Sequence, residues 1–144
     1  MATSSTILRV VGLTICLLLA LPASSFACRC AGSLSPADAY HLADVVLLGK
    51  TTAVSGDINQ EGLTAIVRVV QVWKQPVSPE IVISTTTTCA FSFRVNQDYL
   101  LYLSKDPQNG RYTTKACVGN QPIEAAEKAL QWLKTHGKLV SLSP

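Results

Sequence analysis

Alternation of apolar and polar residues marks the strands of this chain. It is clearest over residues 63–74, where Ala65, Val67, Val69, Gln71 and Trp73 fall on one face and Ile66, Arg68, Val70 and Val72 on the other. Another strand is predicted over residues 44–54, with Val45, Val46, Leu47 and Leu48 at its start. Residues 55–62 between these two form a polar, glycine-bounded loop. After a turn at residues 76–79, strands are predicted at 80–85, at 98–104 with Tyr99 and Tyr102, and at 110–117. A turn at residues 106–110 joins the last two. Helices flank the strands. Ser35 can cap a short helix reaching about residue 42, with Pro36 at its first position and Asp38 in its first turn. A longer helix is predicted from Pro122 to Thr135, with Glu124 and Glu127 early, Lys134 late and Gly137 as its stop. Ala126, Ala129, Leu130 and Leu133 form its apolar stripe. Residues 139–144 are expected to fray. Five strands of this length and spacing suit a small closed or partly open barrel.

The first 27 residues read differently. Arg9 is their only charge, and residues 10–21 are an apolar run shorter than the roughly 20 residues that a membrane span takes. Pro22 ends the run, and small residues stand at Ser25 and Ala27. This pattern predicts a secretory signal peptide, residues 1–27, cut after Ala27, and a single domain over residues 28–144. The expected location is extracellular, or periplasmic in a bacterium. No second apolar run is long enough for a membrane span. Without the leader, eleven Lys and Arg face nine Asp and Glu. So mild a charge, with no basic stripe and no interleaved aromatics, argues against a nucleic-acid partner.

Cysteine usage narrows the class further. Cys16 leaves with the leader, and Cys28, Cys30, Cys89 and Cys117 remain. An even number in a small exported chain predicts two disulfides. Cys28 and Cys30 stand too close for an easy bond to each other, so each is expected to reach one distant cysteine, in either combination. A bridge closing such a long loop stabilises the fold by roughly 4 kcal/mol in the chain-entropy picture. The C-x-C spacing lacks the paired C-x2-C knuckles of structural zinc sites.

Catalytic motifs do not stand out. His41, on the first helix, and His136, just before the stop glycine, are the only histidines. The chain has no nucleophile elbow, P-loop or H-E-x-x-H, and an enzyme is not expected. The unusual feature is a mature N-terminus that begins with cysteine. An α-amine titrates near pH 8, so a useful fraction is neutral. With the carbonyl oxygen of the same residue it can close a five-membered ring on one metal ion. Catalytic zinc keeps an open fourth position for water, which such a chain end could displace. Disulfides at Cys28 and Cys30 would hold that end in place and reduce the ordering cost of binding.

Several segments together resemble a known family. They are the start Cys28-Arg29-Cys30, the A-D-V-V-L-L-G-K segment at residues 43–50, Cys89, the Y-L-L-Y-L run at residues 99–103, and Cys117. Jointly they resemble the N-terminal domain of tissue inhibitors of metalloproteinases, a netrin-like module, over nearly all of residues 28–144. The resemblance implies an all-β, five-stranded OB-type barrel with a short N-terminal and a longer C-terminal helix. It implies the bonds Cys28–Cys89 and Cys30–Cys117. It implies a monomeric inhibitor whose partner is a secreted or cell-surface zinc metalloprotease. Cys28 would bind the target's zinc through its amine and carbonyl, and the chain would need no cofactor of its own. Cys28, Arg29, Cys30 and Ala31 would contact the protease, with the Arg29 side chain at the mouth of its primed-side specificity pocket. Thr86, Thr87 and Thr88 would line the other side of the cleft. The chain departs from the family pattern at Arg29, where Thr or Ser is usual, and at Gly32, where proline is common. It also lacks a cysteine at His41-Leu42-Ala43, where the family carries one. The alternative is a netrin-like extracellular module that recognises a protein or glycan without inhibiting a protease. Only inhibition requires a free Cys28 amine.

Overall fold

From Cys28 onward the chain is built mostly of strands. The computed structural model describes Cys28 and residues 30–85 and 89–144; Arg29, residues 86–88 and the expected leader, residues 1–27, lie outside the described residues. In chain order come helix α1 (Pro36–Leu42), then strands β1 (Val45–Asp57), β2 (Gly62–Trp73), β3 (Glu80–Thr85), β4 (Asp98–Lys105) and β5 (Tyr112–Thr114). The two-residue strand β6 (Gln121–Pro122), helix α2 (Glu127–His136) and the two-residue strand β7 (Leu139–Val140) follow. Five strands close a barrel. β1 pairs with β2, β2 with β3, β4 with β5 and β1 with β4, all antiparallel, while β3 and β5 pair in parallel. The circuit β1-β2-β3-β5-β4 returning to β1 is the expected five-stranded OB-type barrel, and closure leaves these strands no free edge. Among the described residues, no helix is long and apolar enough to cross a membrane.

Local chemistry explains the flanking elements. The Ser35 hydroxyl accepts the Asp38 amide at 3.1 Å and donates to the Asp38 carboxylate at 2.6 Å, capping α1. At the other end of α1, the Lys74 ammonium donates to the carbonyls of Tyr40 (2.8 Å) and Ala43, and sits 5.0 Å from the Tyr40 ring centroid. A cation there satisfies carbonyls that the helix leaves free and suits the negative end of its dipole. The run D-Y-L-L-Y-L of β4 is buried on both faces. Tyr99, Leu101 and Leu103 point into the barrel with Leu47, Val67 and Ile83. Leu100 and Tyr102 point outward, beneath α1 and α2, with Ala39, Val46, Trp73 and Leu133. A strand covered on both sides reads as a continuous apolar run rather than an alternating one.

Five sequence expectations need correction. The alternation along β2 holds only to Val69. The register passes from Leu48↔Gln71 to Gly49↔Val69, so Val70 is an extra residue, and it is exposed. Beyond this bulge the faces exchange: Val72 enters the barrel and Trp73 packs under the helices, the reverse of the predicted faces. Residues 55–57 are not loop but the end of β1. The turn that follows is held by the Asp57 carboxylate, which accepts from the Asn59 amide (2.8 Å) and Gln60 Nε2 (3.0 Å). β5 stops at Thr114, and Cys117 lies in a 3-10 turn, Ala116–Val118. α2 starts at Glu127 because Gln121 and Pro122 are extended and pair with Leu100 and Tyr99, with a 3-10 turn, Ile123–Ala125, between. The tail is not frayed: Leu139 and Val140 pair with Trp73 and Val72, and the Ser143 amide donates to the Val77 carbonyl at 2.8 Å.

Among the described residues, one buried side-chain group is unsatisfied. Thr51 is fully buried and its hydroxyl has no hydrogen-bond partner. Replacing it by a methyl of similar shape removes an orphaned polar atom, so Thr51→Val should stabilise the fold by about 1 kcal/mol. The check is a higher urea midpoint at unchanged slope; a lower midpoint would show that the hydroxyl is satisfied.

Candidate functional site

The parallel pairing of β3 and β5 decides where the cysteines lie. Its register is Ile83↔Tyr112, Ser84↔Thr113 and Thr85↔Thr114, so both strands leave the barrel at the same end. β3 leads on to Cys89 and β5 to Cys117, and the Ala116 amide donates to the Cys89 carbonyl at 2.8 Å, joining the two exits. Cys89 has φ +56°, a left-handed conformation uncommon outside glycine. Onto this pair of exits the chain's first cysteines are bonded. Cys28 is disulfide-linked to Cys89 and Cys30 to Cys117, with Cα–Cα distances of 5.2 and 5.4 Å. These are the pairings that the resemblance implies. The bridges touch, with Cys28 Sγ 3.9 Å from Cys117 Sγ. Two disulfides are the mark of a chain that matures in an oxidising environment.

The result is an exposed ridge strapped across one end of the barrel. Cys28, Cys30 and residues 31–35 are all exposed, while Cys89 and Cys117 are half-buried beneath them. No backbone hydrogen bond joins residues 30–34 to the other described residues. The ridge is therefore held by its two sulfur bonds. Beside it runs an open groove of about 340 Å³, walled by residues 30 and 32–34 on one side and 116, 117 and 119–121 on the other. No side chain lining that groove ionises at neutral pH, so it offers backbone, amide and hydroxyl hydrogen bonding.

Asn120 organises the floor of the site, and the motif analysis missed it. Its side-chain carbonyl accepts the Tyr102 amide at 2.7 Å. Its side-chain nitrogen donates to the Thr114 hydroxyl (2.6 Å) and the Lys115 carbonyl (2.8 Å), and Thr114 in turn donates to the Tyr102 carbonyl at 2.8 Å. This network takes over where the β4–β5 ladder ends, and it fixes the segment that carries Cys117. Gly119, next to it, has φ +104°, and a Cβ there would lie 3.0 Å from Ala39 Cβ and 3.3 Å from the Tyr102 ring. That close approach is the one signal in the sequence that could have flagged the segment.

The structure brings Cys28, Cys30, Cys89 and Cys117 together and places Ala31 on the exposed ridge beside Cys30. Arg29, Thr86, Thr87 and Thr88 lie outside the described residues. His41 and His136 sit in the last turns of α1 and α2. His136 stacks on Trp132 at 4.9 Å, and His41 lies edge-on to Tyr40 at 6.0 Å. Among the described residues, no three of His, Cys, Asp and Glu group as metal ligands. Compared with models of protein families and with curated proteins, the sequence matches none.

Two consequences can be measured. Asn120→Ala leaves the Tyr102 amide without its acceptor, and should cost about 1–3 kcal/mol of stability, read by urea unfolding. An unchanged midpoint would mean that water replaces the side chain. Burial pushes the Tyr102 phenol up from 10.0 to about 12. The folded chain therefore holds this proton to higher pH than the unfolded chain. The contribution is complete below pH 10 and is lost as pH rises towards about 12. Stability should fall across that window, and less steeply in Tyr102→Phe; equal slopes would show a phenol that ionises as freely folded as unfolded.

Proposed function

We propose that this chain, once processed to begin at Cys28, is a secreted protein inhibitor of zinc metalloendopeptidases. The observation that carries the reading is the exposed Cys28, strapped to the barrel end by its own disulfide and by that of Cys30. A free amine at this residue and its carbonyl oxygen form a two-atom ligand for the target's catalytic zinc and displace the water in its open position. Because the ridge is already fixed, little conformational freedom is lost on binding. The groove walls supply hydrogen-bonding groups to either side. Arg29 and Ala31 extend the contact along the ridge, and Thr86, Thr87 and Thr88 supply the flank on the Cys89 side. A long cationic residue at position 29 favours proteases whose specificity pocket is open or acidic. The inhibitor reacts with nothing and needs no catalytic group.

The reading turns on one atom, the Cys28 α-nitrogen. Protein with a mass-confirmed Cys28 terminus should inhibit members of a zinc metalloprotease panel. Acetylating that amine, or adding one residue before Cys28, should weaken inhibition by roughly a hundredfold or more, about 2.7 kcal/mol at least, with the melting curve unchanged. Equal inhibition by the extended form would rule out chelation. No inhibition by folded, free-amine protein would favour the netrin-like module that binds a protein or glycan.

A further inference from the structure

The two disulfides lie in contact, and the contact has a chemical use. Cys28 Sγ sits 3.9 Å from Cys117 Sγ, a sulfur of the other bridge. Cys28 and Cys30 are exposed and their partners are half-buried, so a small thiol can reach these bonds. The two sides of the contact differ in freedom. Cys89 and Cys117 are kept together by the bond from the Ala116 amide to the Cys89 carbonyl, and the Cys117 segment is pinned by Asn120. Residues 30–34 have no strand pairing to break, so once one bridge is opened the ridge can shift while its acceptors stay in place.

We infer that the folded chain interconverts between two disulfide frameworks across this contact, with a low-molecular-weight thiol as catalyst. One framework is Cys28–Cys89 with Cys30–Cys117; the other is Cys28–Cys117 with Cys30–Cys89. The thiolate of the catalyst attacks Cys89 Sγ, forming a mixed disulfide there and releasing the Cys28 thiolate. That thiolate attacks Cys117 Sγ, forms Cys28–Cys117 and expels the Cys30 thiolate. The Cys30 thiolate then attacks Cys89 Sγ of the mixed disulfide, forms Cys30–Cys89 and returns the catalyst thiolate. Each step makes one sulfur–sulfur bond and breaks one, with the electron pair leaving on the expelled thiolate. Nothing is oxidised or reduced overall. The exchange moves the anchor of Cys28 from the β3 exit to the β5 exit. Its effect on inhibition rests on the reading above, whereas the exchange itself does not.

The test is disulfide mapping. The purified chain is incubated with a trace of reduced glutathione at mildly alkaline pH without denaturant, acid-quenched and mapped by mass spectrometry. A fragment joining Cys28 to Cys117 should grow with time, with no Cys28–Cys30 fragment and an unchanged circular dichroism spectrum. If only mixed disulfides and the original bridges are found, or if exchange starts only in urea that unfolds the chain, the inference fails. Cys89→Ala provides a second route, since it leaves the Cys28 thiol beside Cys117. Mapping should then find Cys28–Cys117 and Cys30–Cys117 in comparable amounts, and Cys30–Cys117 alone would overturn the exchange. Exchange with inhibition unaltered would leave the two frameworks standing and count against the chelating role of Cys28.

Discussion

The parallel ladder between β3 and β5 joins three residue pairs, and through them it sets the end of the barrel at which both strands emerge. Antiparallel pairing would have sent the chain beyond Thr114 to the opposite end, out of reach of Cys89. Parallel neighbours cannot be joined by a tight hairpin; here the connection runs through the whole of β4. Such long-range closure carries an entropic cost and gives few hydrogen bonds in return. The bridges offset that cost. They close separations of 61 and 87 residues, and a loop of either size removes about 4 kcal/mol of freedom from the unfolded chain, although overlapping loops do not add in full. The bonds that fix the ridge are thus the ones that make the short ladder tenable.

Much of the barrel could be read from the sequence because its strands are locally marked. The caps at Ser35 and Pro36 gave α1, and β3 matched its predicted bounds. The failures share a cause. Period-two alternation identifies a strand but does not show where an extra residue enters it, and Val70 reversed the faces of Val72 and Trp73. A signal was present in the partner strand: Gly49 has Val67 Cγ1 at 2.5 Å and the Arg68 carbonyl at 2.9 Å from where its Cβ would stand, so only glycine fits opposite the bulge. Pro122 was misread because a proline that opens a helix and one that ends a strand look alike locally. Its partner Tyr99 is distant in sequence.

The site was legible in a different way. Four cysteines could be counted, and two combinations remained open on the residues alone; the resemblance chose the pairing that the structure contains. No local rule could have chosen, since the choice depends on the β3–β5 ladder, a parallel pairing of strands that do not follow one another along the chain. Asn120 was invisible for a related reason. Its side chain substitutes for strand pairing between β4 and the segment after β5, and an amide in a polar stretch carries no mark of that role.

Rigidity in this molecule comes from two unlike sources at one place. The barrel is held by ladders and by apolar side chains packed inside it and under its helices. The ridge has neither, and its position is dictated by groups 61 and 87 residues away. Gly32, at φ +145°, must stay glycine to avoid backbone strain, but the side chains of Ala31 and Ser33 lie free of the fold's packing and can vary with whatever the ridge contacts. Asn120, Thr114 and Gly119 cannot, because the placement of Cys117, and with it the ridge, rests on them. Specificity and stability are thereby assigned to different stretches of the chain, and the two bridges are where the stretches meet.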